Sequence, residues 1–248
     1  MCIRDRLGVF GEAVDVVAAD IKNDTKIIPL SFISCPINKE LAQRTRRLQN
    51  ESQSLYEFGC LNNEFAHIFS SAINTLIKQD IHAAQAKAIG LHGQTLLHVP
   101  GAQYPFTIQL GNPNIVAAKT GLQTIADFRN TDMACGGQGA PLTPAFHAHA
   151  FSNNGDDKAV VNIGGIANIT ILSAQGKAVA GFDIGPGNCL MDTWIRHHHN
   201  KEFDSNGEWA ASAVPDFKLL DKLLNDTCLL YTSPSPRDRT RSRMPSSA

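Results

Sequence analysis

The chain has 248 residues, 22 Lys plus Arg against 23 Asp plus Glu, a formal net charge of -1 and 43% hydrophobic residues. That length and apolar content suffice for a packed core of one large or two modest domains and exclude a chain that is disordered throughout. The balanced charge leaves no electrostatic footprint for nucleic acid or an anionic membrane surface, so the expected partner is a small molecule. The longest apolar stretch, 159–176, is interrupted by Asn162, Gly164, Gly165, Asn168 and Ser173 and does not read as a membrane span. Six cysteines at irregular intervals contain no C-x-x-C pair, which is the pattern of reduced thiols in a cytoplasmic protein.

The two ends differ in composition from the body. From Cys228 onward, CLLYTSPSPRDRTRSRMPSSA is rich in Ser, Pro and Arg and poor in core-forming residues. Its start is similar to a reading-frame translation of a sequencing adapter, and the opening MCIRDR to the same adapter read on the opposite strand. Residues 1–6 and 228–248 are therefore expected to be assembly scars, the second disordered, and carry no weight in the fold expectation. The alternative for the C-terminal stretch is a flexible basic arm that binds an acidic partner.

Within the body, Val14–Ile21 and Lys26–Ile33 are β-branched and apolar around a polar Lys22-Asn23-Asp24 turn, which predicts a strand pair. Phe65, Ile68, Phe69, Ala72, Ile73 and Leu76 recur at three- and four-residue steps and predict a helix over 63–79 whose aromatics are core. Short apolar runs at 86–91, 106–110 and 122–128 predict strands, with Asn112-Pro113 opening a helix between the last two. After a Gly-rich passage at 135–144, the polar cluster 152–157 predicts a domain boundary. Strands at 159–163, 166–172 and 179–184 and a helix from about 188 follow. The expected fold class is α/β, with one domain over 7–156 and the start of a second over 157–227. Three strands and one or two helices cannot close a two-sided sheet, so the second is expected to be incomplete.

Several segments carry candidate chemistry. In GFDIGPGN, an apolar strand delivers Asp183 to a turn containing Gly185 and Gly187 that leads into a helix. Such a turn suits close approach of backbone N–H groups to a phosphate, with Asp183 placed as a base or Mg²⁺-organising carboxylate. The competing reading is an Asp that caps the next helix. Gly164 and Gly165 in VVNIGGIANIT are either a phosphate-approaching hairpin or an ordinary Gly-Gly turn. His92 and Thr95 of HGQT can orient a sugar hydroxyl or serve structure alone. Arg129 of DFRNTD can contact a substrate carboxylate or phosphate, or pair with Asp127 or Asp132. The loop Gly136–Pro144 lines a cleft or simply connects elements. His197–His199 continue a helical pattern as solvent-facing residues, and no spacing supports a protein-built metal site.

In order, HGQT, QLGNPNIVAAKTG, DFRNTDMACGGQGAPLTPAFH, VVNIGGIANIT and GFDIGPGNCLMDTW resemble the bacterial anhydro-N-acetylmuramic acid kinases over most of residues 14–227. The resemblance implies an actin-like two-domain sugar-kinase fold that binds an amino sugar and ATP with Mg²⁺. It implies hydrolytic opening of 1,6-anhydro-N-acetylmuramate from cell-wall turnover and phosphorylation at O6, with Asp183 as catalytic base. It also implies phosphate contacts from Gly8, Asp15, Gly164, Gly165, Gly185 and Gly187, sugar contacts from His92, Thr95 and Arg129, and possible homodimers. The family's opening GTS-x-DG-x-D loop corresponds here to residues 8–15, where only Gly8 and Asp15 match at informative positions. With that loop altered and the family's C-terminal portion missing, this polypeptide is expected to be inactive. The alternatives are a non-catalytic sugar-binding fragment and a related kinase for another sugar.

Overall fold

Short β-branched runs separated by turns build the first sheet. The strands β1 (Cys2–Asp5), β2 (Ala13–Lys22) and β3 (Lys26–Pro36) form an antiparallel meander. The computed structural model describes residues 2–5, 13–22, 26–50, 54–151 and 155–225, and the chain divides into two units, one ending at Ala140 and one starting at Pro141. The strand pair expected at 14–21 and 26–33 is present as β2 and β3. β1 lies in the segment set aside as an adapter scar; its pairing uses backbone groups, which every residue carries whatever its side chain.

The first unit continues through α1 (Lys39–Asn50), α2 (Leu55–Gln79), β4 (Ala88–Leu91), β5 (Gln94–Val99), β6 (Phe106–Leu110), α3 (Pro113–Thr120), β7 (Gln123–Ala126) and α4 (Phe128–Ala134). Its five-stranded sheet has the order β3-β2-β1-β4-β7, with β4 parallel to both β1 and β7, while β5 and β6 form a separate hairpin. Val14, Val16 and Ala18 of β2 and Ile89 and Leu91 of β4 are buried together with one stripe of α2, namely Leu61, Phe65, Phe69, Ile73 and Leu76. Each of these side chains except the smaller Ala18 contributes about 1.5–3 kcal/mol by leaving water.

α2 begins earlier than its apolar periodicity suggests. Ser54 caps it by accepting the Glu57 N–H at 3.2 Å, and its first turn carries the exposed Leu55 and Tyr56, so that turn has no buried stripe to read. α1 was not anticipated because its buried contribution is narrow: Leu41 and Thr45 are buried among charged neighbours. Arg44 fastens it to α2 through Glu57 at 2.8 Å and Glu64 at 2.7 Å. α3 starts as expected at Asn112-Pro113, with the Asn112 side chain accepting the Asn114 N–H. The entry into α3 passes through Gly111 at φ +114°, where a Cβ would overlap the Phe69 ring, so only glycine fits there.

The second unit comprises α5 (Thr143–Phe151), β8 (Lys158–Ile163), β9 (Ile166–Leu172), β10 (Ala178–Pro186), α6 (Cys189–His199), α7 (Glu208–Ala211) and α8 (Phe217–Leu224). Its sheet is antiparallel throughout, in the order β10-β9-β8. The break between units comes earlier than the polar cluster at 152–157, because α5 packs on β9 and β10. The buried His147 ring meets the Thr170 hydroxyl at 2.8 Å, and Gly181 lies against Pro144 where a Cβ would overlap the proline ring. Val161, Ile163 and Ile166 stay exposed. Among the described residues no helix is long and apolar enough to cross a membrane.

Replacing the central aromatic, Phe69→Ala, is expected to cost about 3–5 kcal/mol, because the cavity beneath Gly111 cannot collapse onto a glycine that has no side chain. Equilibrium urea unfolding of the variant against the parent chain measures it.

Candidate functional site

Adjacent parallel strands open ligand sites beyond their carboxyl ends. β4 and β7 are such a pair, with Leu91 opposite Ala126, and the residues that follow those two ends are His92 and Asp127. Asp127 turns the chain into α4 at φ +65°, a left-handed conformation rare for a residue with a Cβ, and its carboxylate accepts the Asn130 amide at 2.6 Å. That turn brings Arg129 to His92: Arg129 Nε donates to His92 Nε2 at 3.0 Å. A guanidinium has no acceptor, so Nε2 must accept, and the ring proton sits on Nδ1, which donates to the Gly93 carbonyl at 2.7 Å. Arg129 Nη1 donates to the Gly139 carbonyl at 2.8 Å.

The structure thus joins two residues, His92 and Arg129, that the sequence placed in separate motifs. Thr95 lies on β5, where its hydroxyl accepts from Gln109 Nε2 of β6 at 3.4 Å; the same amide donates to Thr107 at 2.7 Å. Gln109 and Asn130, whose amide also reaches the Thr107 carbonyl at 3.2 Å, are polar members of this cluster that sequence reasoning missed. The only signal for Gln109 was a polar residue inside the apolar run 106–110. The amide oxygens of Gln109 and Gln138 are buried without a protein partner among the described residues.

Asp15 is buried on β2 and accepts the Ser34 hydroxyl from β3 at 2.6 Å. The Cys35 thiol beside it is pushed above its ordinary range, first by burial and then by the Asp15 charge. Gly8 lies outside the described residues.

In the second unit, the glycine segments meet each other. Gly164 and Gly165 link β8 to β9, and their carbonyls receive the entry of α6: Gly187 N–H donates to Gly165 at 2.9 Å, Asn188 N–H to Gly164 at 2.7 Å and Cys189 N–H to Gly165 at 3.3 Å. A Cβ on Gly187 would overlap the Gly164 carbonyl, so glycine is required for this backbone contact. Asp183 sits in β10 opposite Asn168, immediately before a bulge that leaves Ile184 unpaired and puts Gly185 opposite Ala167 at φ +139°. The residue before α6 is Asn188, whose side chain makes no capping hydrogen bond, and Asp183 stands five positions ahead of it in β10.

His197–His199 end α6 as exposed residues, with the His198 ring 4.4 Å from Trp194 and the His199 ring 4.4 Å from Trp209. Among the described residues no three His, Cys, Asp or Glu side chains gather as a metal cage.

A family model described as anhydro-N-acetylmuramic acid kinase matches residues 7–245. A curated protein of that name from Haemophilus influenzae is 44% identical over 232 residues, covering 93% of this chain and 59% of the relative. Proteins of the same name from a Sulfurovum species and from Shewanella loihica are 40% and 41% identical, each over 94% of this chain and 63% of the relative. The chain therefore spans about three fifths of the length of these relatives.

Gly187→Ala is expected to separate the β8–β9 turn from α6 and to destabilise the second unit by about 1–3 kcal/mol. Hydrogen exchange of the β8 and β9 amides, compared with those of β4 and β7 as an internal reference, checks it. Asp15→Asn removes a negative charge beside Cys35, lowers the thiol's pKa and is expected to speed its alkylation at pH 8 by about two- to threefold, read by mass spectrometry.

Proposed function

Since the chain belongs to the anhydro-N-acetylmuramic acid kinase family, we propose that it carries the residues of an ATP-dependent kinase acting on 1,6-anhydro-N-acetylmuramate from cell-wall turnover. Water adds to C1 of the sugar, the C1–O6 bridge opens, and O6 takes the γ-phosphoryl group as ADP departs. The product is N-acetylmuramate 6-phosphate. Asp183 accepts the proton of the attacking water; ring opening creates the nucleophile that phosphoryl transfer consumes, so one carboxylate serves both events. The observation that carries this reading is the position of Asp183, within a strand, directly before a bulge and a glycine turn into a helix.

In this reading Arg129 receives the lactyl carboxylate of the sugar as a charge-assisted pair, and His92 and Thr95 contact its hydroxyls. Contacts to the nucleotide's phosphates are assigned in the same reading to Gly8, Asp15, Gly164, Gly165, Gly185 and Gly187. Because the N–H of Gly187 is spent on Gly165, that glycine contributes close backbone approach rather than a donor. Mg²⁺ usually keeps several waters and is held by one or two carboxylates plus substrate phosphates, and the described residues, which offer the buried Asp15 on β2 and no three-residue cage, suit that mode. When bound, the ion neutralises charge on the transferring phosphoryl group.

An actin-like fold is supported by a motif that both units contain. Each contains an antiparallel three-strand meander, β1-β2-β3 or β8-β9-β10, followed by a helix, α1 or α6, with α5 preceding the meander of the second unit. A cytoplasmic location and homodimers complete the proposal.

A second reading, sugar binding without phosphoryl transfer, is favoured by residues 8–15, which retain only Gly8 and Asp15 of the family's phosphate loop. Calorimetry of the chain with the anhydro-sugar, alone and with a non-hydrolysable ATP analogue, separates the two: binding of both ligands is expected, and sugar binding without nucleotide binding selects the second reading. In a polypeptide restored to the full length of these relatives, ATP-dependent formation of the 6-phosphate, followed by mass spectrometry, is expected to fall at least about 100-fold on Asp183→Asn. Equal turnover by that variant would remove Asp183 from the mechanism.

A further inference from the structure

Asp132 is fully buried on α4, one turn after Arg129 on the same helix face. A buried carboxylate is expensive unless its lone pairs are satisfied. Its Oδ2 accepts the Gly139 N–H at 2.8 Å, and its own backbone carbonyl accepts the Gly137 N–H at 2.8 Å. The loop after α4 is thereby folded back over the carboxylate so closely that a Cβ on Gly137 would overlap it. Gly136 and Gly139 both adopt the left-handed region that this reversal demands, at φ +86° and +71°.

The residue whose N–H donates to Asp132, Gly139, accepts from Arg129 Nη1 at 2.8 Å through the carbonyl on the other side of its Cα, and Arg129 Nε in turn donates to His92 Nε2 at 3.0 Å. Anchoring the Gly139 N–H fixes the backbone at this left-handed residue and with it the direction in which its carbonyl is presented to Arg129. We infer that Asp132 is a positioning residue, which fixes the Gly139 backbone so that its carbonyl holds the Arg129 guanidinium against His92. The inference rests on the proposed function only in assigning Arg129 to the sugar; the order Asp132, Gly139, Arg129, His92 stands on geometry.

Three variants of the 248-residue chain test it: Asp132→Ala, which removes the acceptor; Asp132→Asn, which keeps an oxygen acceptor without the charge; and Gly137→Ala, whose Cβ displaces the carboxylate. Nitrogen-15 NMR of the His92 ring reads the contact directly, and calorimetry with 1,6-anhydro-N-acetylmuramate reads its consequence. Asp132→Ala and Gly137→Ala are expected to lose the single Nδ1-protonated ring signature and to weaken sugar binding about tenfold or more, while Asp132→Asn restores both to within about threefold of the parent. A folded Asp132→Ala chain with unchanged ring resonances would overturn the inference, as would an Asn variant no better than Ala. If Asp132→Ala does not fold, Gly137→Ala against Asp132→Asn gives the same contrast. Absence of sugar binding by the parent chain counts against the proposed function, and the ring resonances still decide the role of Asp132.

Discussion

The packing of α2 on one face of the five-stranded sheet is the constraint on which the first unit depends. Phe65 and Phe69, with ring centroids 5.8 Å apart, fill the space above the buried residues of β2 and β4. The same helix sets the route of the chain beyond the hairpin: Asn62 accepts the Gly111 N–H at 2.8 Å through its side chain and the Asn112 N–H at 3.2 Å through its carbonyl. The start of α3 is thus tied to α2, and α3 in turn leads into β7, whose end delivers Arg129. A core interaction therefore determines where a polar cluster can form, because strand ends are placed by what packs on the strand faces.

Glycines in both units mark places where one stretch of backbone lies against another group too closely for a side chain. In the first unit this is Gly137 against the Asp132 carboxylate; in the second it is Gly187 against the Gly164 carbonyl. The glycine motifs of the second unit, which resemble phosphate loops when read as sequence, form a seam that fastens a loop to a helix end, and the Gly-rich loop after α4 does the same in the first unit. A seam of this kind suits a binding site, since hydrogen bonds that are already made hold the backbone in one arrangement before any ligand arrives, which lowers the ordering cost of binding. The Asp183 segment combines the two features, a strand bulge and a glycine seam, within a few residues.

Much of the secondary structure was legible because burial and periodicity coincide. β2 and β3, the stripe of α2, the Asn112-Pro113 start of α3 and the strands β8 to β10 all announce themselves through repeated apolar residues or a strong cap. α1 escaped because its buried positions sit among Arg and Gln, and the early start of α2 because Ser54 is a cap without an apolar run behind it. The unit boundary also departs from the polar cluster at 152–157, since a run of polar residues marks a surface loop, whereas the division of contacts depends on what α5 packs against.

For the candidate site, sequence alone determined the residue types and their order: His92 and Thr95, then Arg129, the paired Gly164 and Gly165, and Asp183 ahead of its glycine turn. That order carries the family membership, because a series of motifs is preserved along the chain whatever its folding. Only the tertiary structure decided that Arg129 donates to His92, that this selects the Nδ1-protonated ring, and that Asp132 stands behind both through Gly139. Hydrogen-bond partners depend on distances between strand ends far apart in sequence, and those distances are set by the packing of α2 and the pairing of β4 with β7, which no local pattern encodes.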